Sequence, residues 1–160
     1  MFIGSFDDNN KRTGYWEIYH HNGNLRRRGI YVNGIKDGYW EWYYYNGLIH
    51  SKGKFENNFY NGYWEWYHTN GNIYSKGDYL NGKRDGHWEG YWSNGNLMYK
   101  GIYVNGIQDG YWEEYYSNGN IESKGIFLNG RRYGYWEEYY NDGNLWYKGN
   151  YIDGRLYEIK

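Results

Sequence analysis

The stretch Gly110–Tyr133 reads GYWEEYYSNGNIESKGIFLNGRRY. Its opening run, Tyr111–Tyr116, is rich in aromatic residues and favours a strand. Asn118-Gly119 follows, the strongest short-range hairpin signal, because both central residues of a type I′ turn need positive φ. Asn120–Leu128 runs back as a second strand. Asn129-Gly130 and the next few residues form a second turn leading to Gly134. The stretch is therefore one β-hairpin and the link to another.

The same reading extends over the whole chain. Trp16, Trp40, Trp64, Trp88, Trp112 and Trp136 are spaced 24 residues apart without a slip, as are the glycines two residues before them, Gly14, Gly38, Gly62, Gly86, Gly110 and Gly134. A fixed period of this size marks a repeat array. Six full copies span 14–157, a half copy at 1–13 precedes them as an N-terminal cap, and a tail at 158–160 follows, in one continuous array. The expected fold is all-β: an elongated, single-layer antiparallel meander of about twelve strands. Untwisted, it would be roughly 55–60 Å long, and the natural twist of strands would coil it.

Chemistry supports one register. A two-residue Asn22-Gly23 loop pairs His20 with Leu25, Glu17 with Arg28 and Trp16 with Gly29. In every copy this sets a Glu opposite a basic residue: Glu17/Arg28, Glu41/Lys52, Glu65/Lys76, Glu89/Lys100, Glu113/Lys124 and Glu137/Lys148. It also sets the recurring Trp opposite a recurring glycine, Gly29, Gly53, Gly77, Gly101, Gly125 or Gly149, which leaves room for the indole. A one-residue slip loses both matches and turns every side chain over; a bulged three-residue loop would shift the register. One face then carries Tyr15, Glu17, Tyr19 and their equivalents. The other carries Trp16, His20, Leu25, Gly29 and Tyr31 and is the candidate apolar stripe.

Composition narrows the function. Tyr and Gly number 25 each and Trp 10, whereas Pro, Cys and Ala are absent. Such aromatic content argues against disorder, and no apolar run is long enough for a membrane helix. The net charge of −1 gives no electrostatic reason to expect nucleic acid. The opening MFIGSFDDNN lacks a basic segment followed by an apolar stretch, so a cytoplasmic location is expected.

The pattern G-x-W-E-x-Y-x-x-N-G-x-[LI]-x-x-[KR]-G-x-[YF]-x-x-G resembles the MORN repeat in its bacterial-type variant. The likeness is carried by strand openings such as Asp37-Gly38-Tyr39-Trp40 and Asp109-Gly110-Tyr111-Trp112, and by hairpins such as Tyr43 to Gly47. Departures are local: Asn58 replaces the second turn glycine, Leu48 an Asn, Asp142 the hairpin Asn, and Gly90 a larger residue. The resemblance implies an open, twisted sheet of hairpins serving as a scaffold for protein contacts or membrane-proximal assembly. Some bacterial members of the variant family are labelled antitoxins.

Catalysis needs a local, asymmetric group of residues, whereas the recurring ionisable pair here is a Glu–Lys/Arg ladder of the kind found on a solvated sheet face. No catalytic residue, metal site or cofactor is expected. Among the histidines, His20 and His68 share a repeat position two copies apart, roughly 19 Å and too far for one metal; His21, His50 and His87 add no cluster. The basic runs Arg26-Arg27-Arg28, Lys83-Arg84 and Arg131-Arg132 are short and alternate between faces, so an acidic-lipid surface is a disfavoured partner. The aromatics outside the ladder are Trp42, Trp66, Trp92 and Trp146, where other copies carry different residues. Of these, Trp42, Trp66 and Trp92 are the candidate partner-binding residues, weighed against a role in stacking within the sheet. The expected function is a non-enzymatic scaffold for protein–protein interaction, with an antitoxin- or immunity-like role as one form of it. The alternatives are a carbohydrate-binding aromatic array and a phosphoinositide-associated module. Exposed terminal strands also raise the expectation of a homodimer.

Overall fold

A computed structural model describes residues 1–157; the tail at 158–160 lies outside the described residues. The strands are β1 (Phe2–Phe6), β2 (Arg12–Tyr19), β3 (Leu25–Val32), β4 (Ile35–Tyr43), β5 (Ile49–Glu56), β6 (Phe59–Tyr67), β7 (Ile73–Leu80), β8 (Lys83–Tyr91), β9 (Leu97–Val104), β10 (Ile107–Tyr115), β11 (Ile121–Leu128), β12 (Arg131–Tyr139), β13 (Leu145–Ile152) and β14 (Arg155–Tyr157). They form one antiparallel meander of 14 strands in chain order. The half copy supplies β1, which pairs with β2. The described residues resolve into two compact units, one from Met1 to Lys83 and one from Arg84 onward.

Two turn types alternate, and their assignment reverses the expectation. The Asn22-Gly23 loop is not a two-residue type I′ turn. His20 and Asn24 close it, with His20 N–H donating to Asn24 C=O and Gly23 N–H to His20 C=O. Only Gly23 has positive φ, +87°, so this is a three-residue loop with a left-handed glycine. The type I′ turns lie instead between hairpins, where Asn33 (φ +52°) and Gly34 (φ +83°) are both left-handed and Val32 pairs directly with Ile35. The second turn is thus two residues long, and β4 begins well before Gly38.

The expected pairs Trp16↔Gly29 and Glu17↔Arg28 nonetheless form, while Leu25 faces Tyr19 rather than His20. Two irregularities cancel. The longer loop shifts the register by one, and a bulge at Arg26 restores it, so that Ile18 faces Arg27. The same bulge recurs at His50 and Glu122. These bulged positions carry a different side chain in nearly every copy, because none has to pair.

A second bulge explains the GYW motif. In the β3–β4 ladder Ile30 faces Asp37 but Gly29 faces Trp40, so Gly38 and Tyr39 are extra residues. Gly38 adopts φ +73° there, a conformation that L side chains avoid. The bulge leaves the carbonyl of Ile30 outside the ladder, and the Trp40 indole N–H donates to it at 3.0 Å. Trp64 does the same to Lys54, Trp112 to Ile102 and Trp136 to Ile126. An amphipathic ring thereby fills the apolar face and satisfies a carbonyl that would otherwise be buried and unpaired.

In the first unit Trp16, Trp40, Trp64, Tyr31 and Phe55 form the buried core. In the second unit Trp88, Trp112 and Trp136 are at most 2% exposed. Burial of one indole contributes on the order of 4–6 kcal/mol before the entropy of ordering it. The recurring glycines make this burial possible, but Gly29, Gly53, Gly101 and Gly125 serve the neighbouring hairpin rather than their own. A Cβ on Gly29 would lie 2.2 Å from the Trp40 ring, on Gly53 2.2 Å from Trp64, and on Gly125 2.3 Å from Trp136. Gly149 instead faces Tyr147.

Candidate functional site

The ion pairs follow the same rule. Arg28 lies opposite Glu17 in its own hairpin but bonds Glu41 of the next. Lys52 pairs with Glu65 at 2.8 Å, Lys100 with Glu113 at 2.5 Å and Lys124 with Glu137 at 2.7 Å. The indoles on one face and the ion pairs on the other therefore join successive hairpins. Each of these glutamates also accepts from tyrosine hydroxyls: Glu113 from Tyr115 at 2.6 Å and Tyr111 at 3.3 Å, Glu137 from Tyr139 at 2.5 Å and Tyr135 at 3.3 Å. The Lys124 and Tyr139 bonds hold the Glu137 carboxyl below the usual carboxylate range. The bonds that Lys124 donates to Glu137 and Tyr139 raise its ammonium above the ordinary lysine value.

Above these pairs stands a row of half-exposed rings. In the first unit Tyr15, Tyr39 and Tyr63 are 52%, 54% and 51% exposed. In the second, Tyr111 and Tyr135 bound a slot of about 230 Å³ whose floor is Gly125 with the Lys124–Glu137 pair. Each of these tyrosines pairs in register within its own hairpin, as Tyr39 does with Lys54, and is left unpaired by the bulge only in the ladder to the preceding strand. Sequence reasoning placed them on the polar face without marking them as a surface; the Gly at positive φ directly before each was the available signal.

The tryptophan face treats the candidate binding residues differently. Trp42 lies between Trp40, at 5.5 Å, and Trp64, at 5.7 Å. Trp66 stacks on Trp64 at 5.5 Å. Both are partly buried against the core, opposite the small buried residues Ser51 and Ser75. In the second unit the corresponding ring comes from the opposite strand: Gly90 pairs with Tyr99, and Tyr99 stacks on Trp112 at 5.8 Å. This accounts for Gly90, since a Cβ there would lie 2.1 Å from the Tyr99 ring. Trp92 is not stacked in this way. It opens a hairpin loop in the second unit, and its indole N–H donates to Tyr115 C=O at 2.9 Å, as the Tyr44 hydroxyl does to Tyr67 C=O at 2.5 Å. Trp146 is the exposed one, at 59%.

The basic runs are divided between faces. Arg27 and Arg28 point to opposite sides. Arg84 lies 4.3 Å over Trp88 and Arg132 4.3 Å over Trp136, where the guanidinium–ring attraction is strong. Lys36 lies 4.8 Å over Phe55; burial, then the charge of Arg27, lowers its ammonium below the ordinary lysine value. His20 bonds Tyr43 C=O and His50 the Ser51 hydroxyl. Among the described residues no group of three or more His, Cys, Asp or Glu could hold a metal ion.

A sheet of hairpins locked by one indole, one glycine and one ion pair per step defines a β-hairpin repeat protein. The chain belongs to the MORN repeat variant family, whose model matches residues 12–33, 60–81, 84–105, 108–129 and 132–153. No curated protein matches the chain. The copy between the first two matches, which carries Leu48 and Asn58, pairs β4 with β5 in the same register as the others.

Proposed function

We propose that this chain is a non-enzymatic scaffold that holds a protein partner against the tyrosine face of its sheet, in the manner of an antitoxin or immunity protein that captures one target. The supporting observation is the row of half-exposed tyrosines above the ion pairs, since regularly placed exposed aromatic rings are a usual feature of interaction surfaces. Trp42, Trp66 and Trp92 each have a packing or hydrogen-bonding task, which favours the tyrosine face over the tryptophan face as the contact surface. A homodimer through the terminal strands is a further proposal, checked by the mass from light scattering across concentration.

The test is affinity capture from a lysate of the source organism, with the Tyr39→Ala/Tyr63→Ala chain and the Trp42/Trp66/Trp92→Ala chain in parallel. A stoichiometric protein lost in the tyrosine variant supports the proposal. Loss in the tryptophan variant alone moves the site to the other face. Capture of no protein removes the scaffold reading and directs attention to glycans, whose rings would suit the slots between the tyrosines.

A further inference from the structure

We infer that the tyrosine face is a docking strip for an acidic, proline-rich segment in the polyproline II conformation, one helical turn per hairpin. The inference rests on the protein-contact reading above and names the chemistry of the partner.

The first argument is period. Equivalent residues of successive hairpins are two strands apart, about 9.4–9.8 Å. A polyproline II helix has three residues per turn and advances about 9.3 Å in that turn. A peptide laid across the strands therefore returns the same side of its helix to each tyrosine in turn, over Tyr15, Tyr39 and Tyr63, with a mismatch of only about half an ångström per step. An extended strand repeats its side-chain direction every ~6.7 Å and is out of step by the second ring.

The second argument is shape and hydrogen bonding. Flat aromatic walls separated by shallow slots are what proline rings dock between in other folds. The floor of the slot between Tyr111 and Tyr135 includes Gly125 and the Lys124–Glu137 pair. Polyproline II leaves its own carbonyls without internal donors. A lysine ammonium has three protons, and Lys124, bonded to Glu137 and Tyr139, has one left to offer.

The third argument is charge. In the four ion pairs described on this face the cation is the outward member. The side chain of Lys52 is 33% exposed against 19% for Glu65, Lys100 44% against 17% for Glu113, Lys124 34% against 23% for Glu137, and Arg28 42% against 16% for Glu41. The paired carboxylates are covered by cations and tyrosine hydroxyls, so each of these junctions turns its cation outward between the rings, and Lys54 opposite Tyr39 adds another, while Asp78 opposite Tyr63 opposes them. The strip complements a segment that carries Asp or Glu among its prolines and opposes a basic one.

The test titrates the full chain into fluorescein-labelled peptides of three, six, nine and twelve prolines flanked by aspartates, read by anisotropy. Binding should tighten in steps up to nine prolines, as each added turn reaches Tyr15, Tyr39 and Tyr63, and gain little beyond that. It should weaken at least tenfold when lysines replace the aspartates. Tyr39→Ala should cost at least tenfold, and Tyr39→Phe should restore it; Tyr39→Leu, which keeps apolar bulk on the surface, should behave as Tyr39→Ala, with circular dichroism reporting the fold of each variant. No binding by the twelve-proline peptide, or binding indifferent to Tyr39→Ala and Tyr39→Leu, overturns the inference. Tyr39-dependent binding of cellohexaose without binding of the peptides overturns it in favour of a glycan. A captured protein that needs Tyr39 yet contacts the strip through a segment without proline overturns this inference and leaves the scaffold reading standing.

Discussion

At the scale of the residue, the glycines divide into two kinds with different consequences. Gly53→Ala forces a methyl to 2.2 Å from the Trp64 ring, and the expected loss is at least ~1–3 kcal/mol as for other overpacked sites. Gly62→Ala meets nothing within 4 Å but must hold φ +66°, so its loss is set by backbone alone, about 1–2 kcal/mol. Urea denaturation of the two variants separates the mechanisms, because Trp64 emission should shift only in Gly53→Ala. Arg27 occupies a place that other copies fill with different residues. Its Nε is buried without a partner, and buried serines occupy the equivalent places at Ser51, Ser75 and Ser123. Arg27→Ser should therefore raise stability by roughly 0.5–2 kcal/mol, visible as a higher melting temperature. Trp112→Phe keeps a ring on the apolar face but leaves the Ile102 carbonyl without its 3.1 Å donor. That loss should be about 1–3 kcal/mol beyond the reduced packing, measured against the same substitution with Ile102 presented in a thioester or ester backbone analogue.

At the scale of the element, the unit is a hairpin whose two ends close differently. The Asn-Gly dipeptides are identical in sequence at both ends, yet one lies in a three-residue loop and the other in a type I′ turn. Which end takes which turn was not legible locally. It depends on the bulge at Arg26, which compensates the longer loop, and on the bulge at Gly38, which brings Trp40 to Gly29. The copy outside the family matches shows how much the turn tolerates. Asn57 and Asn58 adopt φ +50° and +70°, and β5–β6 still pairs from Glu56 to Phe59. Asn accepts this conformation less readily than Gly, so Asn58→Gly should stabilise by about 0.5–1 kcal/mol. A shift in the denaturation midpoint without a change of slope would confirm that the turn alone was altered.

At the scale of the whole molecule, the sheet advances by one repeated junction, and its pH dependence follows from that junction. Glu137 is held low by Lys124 and Tyr139. Glu65 is also held low: burial pushes it upward, but the Lys52 and Tyr67 bonds outweigh that. A carboxyl whose folded pKa lies below its unfolded value, about 4.3 for Glu, contributes stability that is present above that value. The contribution is lost as pH falls through the folded pKa. Glu122 has the opposite sign, since burial and then Glu114 raise it, so its protonation on acidification relieves a penalty. The ion-paired glutamates outnumber it, and the chain should be less stable at pH 3 than at pH 6. Urea midpoints at the two values test this, and Glu137→Gln should show the smaller fall. High salt should shrink the difference, because the cations are partly exposed.

The sequence by itself determined the period, the all-β class, the hairpin as the unit and the pairing of Trp with Gly and Glu with base, because each of these depends on residue types at fixed spacing. Only the tertiary structure decided which neighbour each side chain serves. In a meander every strand has a partner on both sides at the same spacing, so Gly29 faces Trp16 and Trp40 alike. The bulge before Trp40 breaks that tie by freeing the Ile30 carbonyl for the indole N–H. Tyr39 stays half-exposed on the other face, while Trp42 is drawn against Trp40 and Trp64. Of the aromatic residues that vary between copies, Trp42 and Trp66 thus joined the core while Trp146 stayed exposed, and the tyrosines that recur at this position in every copy but the one with His87 became the surface, because burial is settled by the neighbours a bulged backbone brings together.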